Sequence, residues 1–133
     1  MALAVPASHA LCRLQTGMIY REIHQAILGA VENVLPGARL AKPEDCRPGA
    51  ACFESPALND ILHGGRKICG GALRRGRDGF LYQGSLHGDL LPSSLAKSLA
   101  GSVDFFKPGG DFLHEARLLE MEKYGAESWN QMR

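Results

Sequence analysis

The sequence predicts an α+β fold, a mostly antiparallel sheet with helices packed against it. Three observations carry this. A stripe of apolar residues at helical spacing runs from Met18 to Leu35. Alternating segments separated by glycine-rich turns fill residues 59–89. Helical patterns then close the chain, and the order helix, strands, helices fits one helical layer on a sheet.

The elements follow in order. Leu3-Ala4-Val5-Pro6 is a strand fragment closed by Pro6. From Met18, residues Ile19, Ile23, Ala26, Ile27, Ala30, Val31, Val34 and Leu35 recur at three- and four-residue steps, with Arg21, Glu22, Gln25, Glu32 and Asn33 opposite. Thr16 or Gly17 starts this helix and Pro36-Gly37 ends it. Ala38–Ala41 is a strand and Lys42–Ala50 a loop. A short apolar piece, Ala51-Cys52-Phe53, runs up to Pro56. Asp60–His63, Arg66–Arg74 and Phe80–Leu86 are the strands of a meander. Gly64-Gly65 suits a two-residue hairpin turn, and Gly76–Gly79 the next turn. Pro92–Leu99 reads as a helix with Leu91, Leu95 and Leu99 inward. Asp111–Tyr124 reads as a longer one with Phe112, Ala116, Leu119 and Met121 on its apolar side. Ala126–Met132 adds a turn bearing Trp129.

Composition narrows the function classes. The 133 residues are 45% hydrophobic and 22% charged, the balance of a globular chain of one-domain length. Lys plus Arg is 15 against 14 for Asp plus Glu, which argues against a generic nucleic-acid binder. No apolar run reaches the ~18 residues of a membrane span. The start lacks the basic residues of a signal peptide. The expectation is a cytoplasmic protein whose four cysteines, Cys12, Cys46, Cys52 and Cys69, are free thiols. They lack the paired spacing of structural zinc sites, so a Cys46, Cys52, His63, Cys69 set is a weak reading. His24, beside the inner face of the first helix, reads as a hydrogen-bonded packing residue. Arg74-Arg75-Gly76-Arg77 reads as a solvated turn. No phosphate-binding glycine fingerprint is present.

The stretch Gly64–Arg75 is the most distinctive. Glycines inside a strand let something lie close against the backbone. Strict alternation would put Lys67, Cys69 and Gly71 on one face and Arg66, Ile68, Gly70 and Ala72 on the other. A lysine over a glycine floor can stabilise charge developing on a carbonyl oxygen or hold a phosphate. A basic hairpin edge that discourages strand pairing is the plainer alternative. Cys52 is a second candidate, since a thiolate can carry an acyl group as a thioester. A buried packing cysteine is its plainer alternative. Cys69 reads as a packing residue beneath the glycines.

These residues carry a family resemblance. Gly65-Arg66-Lys67-Ile68-Cys69-Gly70-Gly71-Ala72, then Arg74-Arg75, then Gln83-Gly84-Ser85-Leu86, resemble the lipoate–protein ligase and octanoyltransferase family. That family has a Gly-Arg-Lys-Ile-x-Gly-small-Ala strand, followed by a His/Gln-Gly-Ser/Thr-hydrophobe element. The ending Glu122-Lys123-Tyr124-Gly125 with Trp129 is also similar. The resemblance implies part of the biotin/lipoate ligase fold, which is like that of class II synthetases. It implies transfer of a lipoyl or octanoyl group to a lysine of a lipoyl-acceptor domain. Lys67 matches the lysine that contacts the acyl carbonyl. Cys52, in Cys52-Phe53-Glu54-Ser55-Pro56, matches the octanoyltransferase nucleophile, with an acyl carrier protein as donor. Gly70, Gly71, Ala72, Gln83, Gly84 and Ser85 would line the pocket. Asn59-Asp60 resembles a pair that places nucleotide and Mg²⁺ in the ATP-dependent ligases.

The family's Arg-Arg-x-x-Gly-Gly loop does not occur in the sequence. Residues 1–133 therefore resemble the C-terminal half of such a domain, entered within a strand. The expectation is a partial catalytic domain with an exposed apolar sheet face, suited to a companion chain or self-association. A non-catalytic subunit, completing another chain's pocket or surviving as a remnant, is the alternative to an enzyme.

Overall fold

A computed structural model describes residues 1–46, 55–87, 92–102, 104 and 107–125, apart from the side chains of 92–94, 123 and 124. The chain divides into two compact units, Met1–Val103 and Asp104–Arg133. The first contains a five-stranded antiparallel sheet and the helices that pack with it. The predicted α+β class therefore holds.

The strands are β1 (Ala2–Pro6), β2 (Arg39–Leu40), β3 (Ile61–His63), β4 (Arg66–Gly76) and β5 (Gly79–Leu86), in spatial order β1-β5-β4-β3-β2. The last three form the expected meander. Gly64 and Gly65 both have positive φ, 56° and 78°, which the favoured two-residue hairpin turn requires of both central residues. β1 returns to pair with β5, with Leu3 opposite Tyr82 and Val5 opposite Phe80.

Helix α1 (Thr16–Val31) buries Ile19, Ile23, Ile27, Leu28 and Val31 against Val5, Ile61, Cys69, Phe80 and Tyr82. Spacings of three, four and eight put these aliphatic side chains on one face. The helix ends at Val31, four residues before the expected Leu35. There the amides of Val34 and Leu35 both bond to the Val31 carbonyl, tightening the last turn. Val34 is exposed, so burial does not extend the helix. Helix α2 (Pro92–Leu99) packs with α1 and brings Leu95 and Leu99 against the core. Leu91 lies outside the described residues.

β2 keeps only two of the four residues expected in a strand. The following loop is tied back by Arg39, whose guanidinium donates to both Asp45 carboxylate oxygens at 2.7 and 2.8 Å. That forked pair, with the Lys42 amide, holds the Asp45 carboxyl well below the usual carboxylate range.

In the second unit, α3 (Gly110–Leu119) runs into a π-turn, Glu120–Tyr124. The expected single helix over Asp111–Tyr124 thus changes its hydrogen-bonding pattern at its end. Its apolar positions Phe112, Leu119 and Met121 are exposed. The expected turn at Ala126–Met132, with Trp129, lies outside the described residues.

Candidate functional site

Lys67 sits at an irregularity in the β3–β4 ladder. Ile61 pairs with Cys69 and Leu62 with Lys67, so Ile68 is an extra residue on β4. Such a bulge breaks strict alternation. The expected face sharing of Lys67 with Gly71 is therefore corrected. Lys67 runs over Gly70, where an added Cβ would collide with the lysine's Cε and Nζ. The glycine makes room for the lysine stem.

The Lys67 ammonium lies 2.8 Å from the Asp60 carboxylate, and the two side chains are 9% and 0% exposed. Asp60 is held by other groups too. The Tyr20 hydroxyl donates to its Oδ1 at 2.5 Å, and the Ala57 amide donates to its Oδ2 at 2.7 Å. Tyr20 in turn accepts the Gly71 amide at 2.9 Å. A buried carboxylate with three donors is compensated, where a bare one would be strongly disfavoured.

His24, one turn after Tyr20 on α1, extends the cluster. Their ring centroids are 4.1 Å apart, the i, i+4 contact of one helix face. His24 Nδ1 is 2.7 Å from the Asn59 carbonyl, and Nε2 is 2.7 Å from the Tyr82 hydroxyl. A carbonyl only accepts, so Nδ1 carries the proton of the neutral ring. Nε2 then accepts from Tyr82. Asn59 delivers its carbonyl from a left-handed conformation, φ 68°, that asparagine tolerates better than most residues. Burial pushes the His24 pKa below its usual value. It pushes the Tyr20 and Tyr82 hydroxyls up, and Cys69 up to about 11. His24 is thus the hydrogen-bonded packing residue expected, and Cys69 is fully buried in the core.

The two sequence elements singled out for a pocket lie side by side. Gly70 pairs with Ser85, Gly71 with Gly84, and Ala72 with Gln83. They divide between two faces. A Cβ at Gly71 or Gly84 would strike the Tyr82 ring, so these glycines lie beneath that ring on the α1 side. On the opposite face Ala72, Gln83 and Ser85 are exposed, with Leu81 38% exposed beside them. A cleft of about 990 Å³ also opens near the β3–β4 hairpin, with Asp45, Leu62, Arg66, Lys67, Ile68 and His87 among its walls.

Other expectations resolve as follows. Cys52 lies outside the described residues. Asn59 and Asp60 are both present, but Asp60 is committed to Lys67, Tyr20 and Ala57. Of the arginine run, Arg77 is solvated as expected. Arg75 is exposed as well, but it also donates to the carbonyls of Leu14 and Cys12 at 2.7 and 2.6 Å. It ties β4 to the chain entering α1. Among the described residues no group of three potential metal ligands gathers, and no helix is long and apolar enough to cross a membrane. Sequence reasoning missed Tyr20. The signal for it was the Tyr20, His24 pair at helical spacing, two polar rings on an otherwise aliphatic face.

Comparison with family models, curated proteins and solved structures yields no match to this chain.

Proposed function

We propose that this chain carries the lysine-bearing part of an acyl-transfer site that moves an octanoyl or lipoyl group onto a lysine of a lipoyl-acceptor domain. The observation that carries this reading is Lys67 laid over Gly70, with Gly70 paired to Ser85 of the second resembling element. A fixed ammonium beside a close-approach glycine suits stabilisation of an acyl oxyanion. The resemblance of Gly65–Ala72 and Gln83–Leu86 to the lipoate ligase and octanoyltransferase family supplies the substrate class, and with it the biotin/lipoate ligase fold.

In this reading the Cys52 thiolate attacks the thioester carbonyl of an octanoyl-carrier protein. The carrier thiolate leaves and takes up a proton. The acceptor lysine amine then attacks the Cys52 thioester, forming an amide and releasing the thiol. Lys67 stabilises the oxyanion in both steps. The assignment of Cys52 rests on its Cys-Phe-x-x-Pro context alone. A companion chain would supply the Arg-Arg-x-x-Gly-Gly loop, and the compartment would be the cytoplasm.

The transferase is favoured over an ATP-dependent ligase by Asp60. Its carboxylate is fully buried and already accepts from two donors besides Lys67, so it does not fit a Mg²⁺ ligand. The same buried pairing favours, as a second reading, a non-catalytic subunit in which Lys67 serves the fold. Intact mass after incubation with octanoyl-carrier protein separates the readings, with Cys52→Ala as control. The transferase gives a hydroxylamine-labile octanoyl adduct that the control lacks. Absence of the adduct, with and without companion chains from the native source, overturns it.

A further inference from the structure

We propose that Asp60 is the positioning residue for Lys67, and that Tyr20 on α1 positions Asp60 in turn. This rests on the acyl-transfer reading of Lys67 and adds the residues that aim it. A lysine has four rotatable side-chain bonds, so its ammonium needs a partner to stay in one place. Asp60 Oδ2 supplies that partner at 2.8 Å. Asp60 cannot swing away, because the Ala57 amide and the Tyr20 hydroxyl hold its two oxygens at 2.7 and 2.5 Å. Tyr20 is itself fixed by the Gly71 amide, which it accepts at 2.9 Å, and by ring contact with His24. The series Gly71, Tyr20, Asp60, Lys67 thus links the backbone of the glycine strand, through α1, to the ammonium above Gly70. The lysine and the strand over which it acts share one reference frame. Neither Asp60 nor Tyr20 needs to touch the acyl group.

Two readouts test the device in the full chain. The first needs no activity. Wild type, Asp60→Asn and Tyr20→Phe are acetylated with N-hydroxysuccinimidyl acetate, and each lysine is followed by peptide mass spectrometry. An ammonium held in an ion pair is a poor nucleophile. Labelling of Lys67 should therefore rise about tenfold in Asp60→Asn. It should rise about fivefold in Tyr20→Phe, where one hydrogen bond to Asp60 is lost. Lys42 and Lys97 should label at wild-type rates in both. If Asp60→Asn loosens the whole fold and all lysines rise together, Tyr20→Phe decides. A rise confined to Lys67 supports the device, and no such rise overturns it.

The second readout is octanoyl transfer. Misplacing the ammonium should lower kcat about 10- to 100-fold in Asp60→Asn, with KM for the octanoyl donor within about twofold. An unchanged kcat with Lys67 loosened overturns the positioning role. If wild type transfers no octanoyl group, the functional reading fails, while labelling still decides whether Asp60 and Tyr20 hold Lys67.

Discussion

Lys67 and Asp60 form an ion pair at 2.8 Å within the folded chain, Asp60 fully buried and Lys67 nearly so. Two charges leave water together here, and their mutual attraction is supported by the Tyr20 and Ala57 donors. Such a pair is costly to break from one side and far cheaper to replace whole.

Removing one partner should therefore be strongly destabilising. Asp60→Ala should cost about 3–5 kcal/mol, because it strands the lysine charge. The double variant Asp60→Leu/Lys67→Met should regain most of that loss. Urea denaturation of Asp60→Ala, Lys67→Met and the double variant checks this. Equal losses in all three would show that the pair is not a coupled unit.

The glycines of β4 should respond differently to alanine. At Gly70 the new methyl meets Lys67 Cε and Nζ, with Asp60 Oδ1 3.1 Å away, so the lysine can make room only by leaving its buried partner. At Gly71 it meets the Gln83 carbonyl and the Tyr82 ring, which cannot move. Gly71→Ala should cost about 1–3 kcal/mol, the range for overpacking. Gly70→Ala should cost about 3–5 kcal/mol, because it parts the buried Lys67–Asp60 pair, and should also expose Lys67. Thermal denaturation with lysine labelling separates the two.

His24 should make stability depend on pH in the acid direction. Its folded pKa lies below the ordinary value of about 6.5, so the unfolded chain binds the proton first. The contribution is complete above about pH 6.5 and is lost as pH falls from there through the folded pKa. The slope from this group should not exceed about 1.4 kcal/mol per pH unit. Urea midpoints between pH 7.5 and 5 in wild type and His24→Gln check it. The variant should lose this part of the slope.

Cys69 should resist alkylation. Burial holds its pKa at about 11, so little thiolate forms at pH 8, and the thiolate is the reacting form. Cys12 and Cys46 are partly exposed. Iodoacetamide mapped by peptide mass spectrometry should modify both before Cys69. Modification of Cys69 at the same rate would show that the core around Tyr82 opens readily.

Much of the frame was legible because its signals are local. Gly64-Gly65 marks a turn wherever it falls between strands, and the register of Gly70–Ala72 against Gln83–Ser85 follows from the next hairpin. The stripe from Ile19 to Val31 fixes which side of α1 is buried. The missed features depend on distant partners. The extra residue at Ile68 is set by how β3 pairs with β4, and only that pairing moves Lys67 from Gly71 to Gly70. Tyr20 reaches Asp60 across 40 residues of chain, and His24 reaches Tyr82 across 58. No spacing rule encodes such contacts. Arg75 is exposed as its run suggests, and its added tie was not legible because the acceptors are backbone carbonyls at residues 12 and 14.

The most direct test of the central claim is the initial rate of octanoyl transfer to a lipoyl-acceptor domain by Lys67→Ala against wild type. Circular dichroism must first confirm that the variant is folded. The loss of a preorganised charge at the acyl oxyanion predicts a fall of about 10²- to 10³-fold. Transfer at the full wild-type rate would contradict the role given to Lys67 and leave the buried pair as a device of the fold alone.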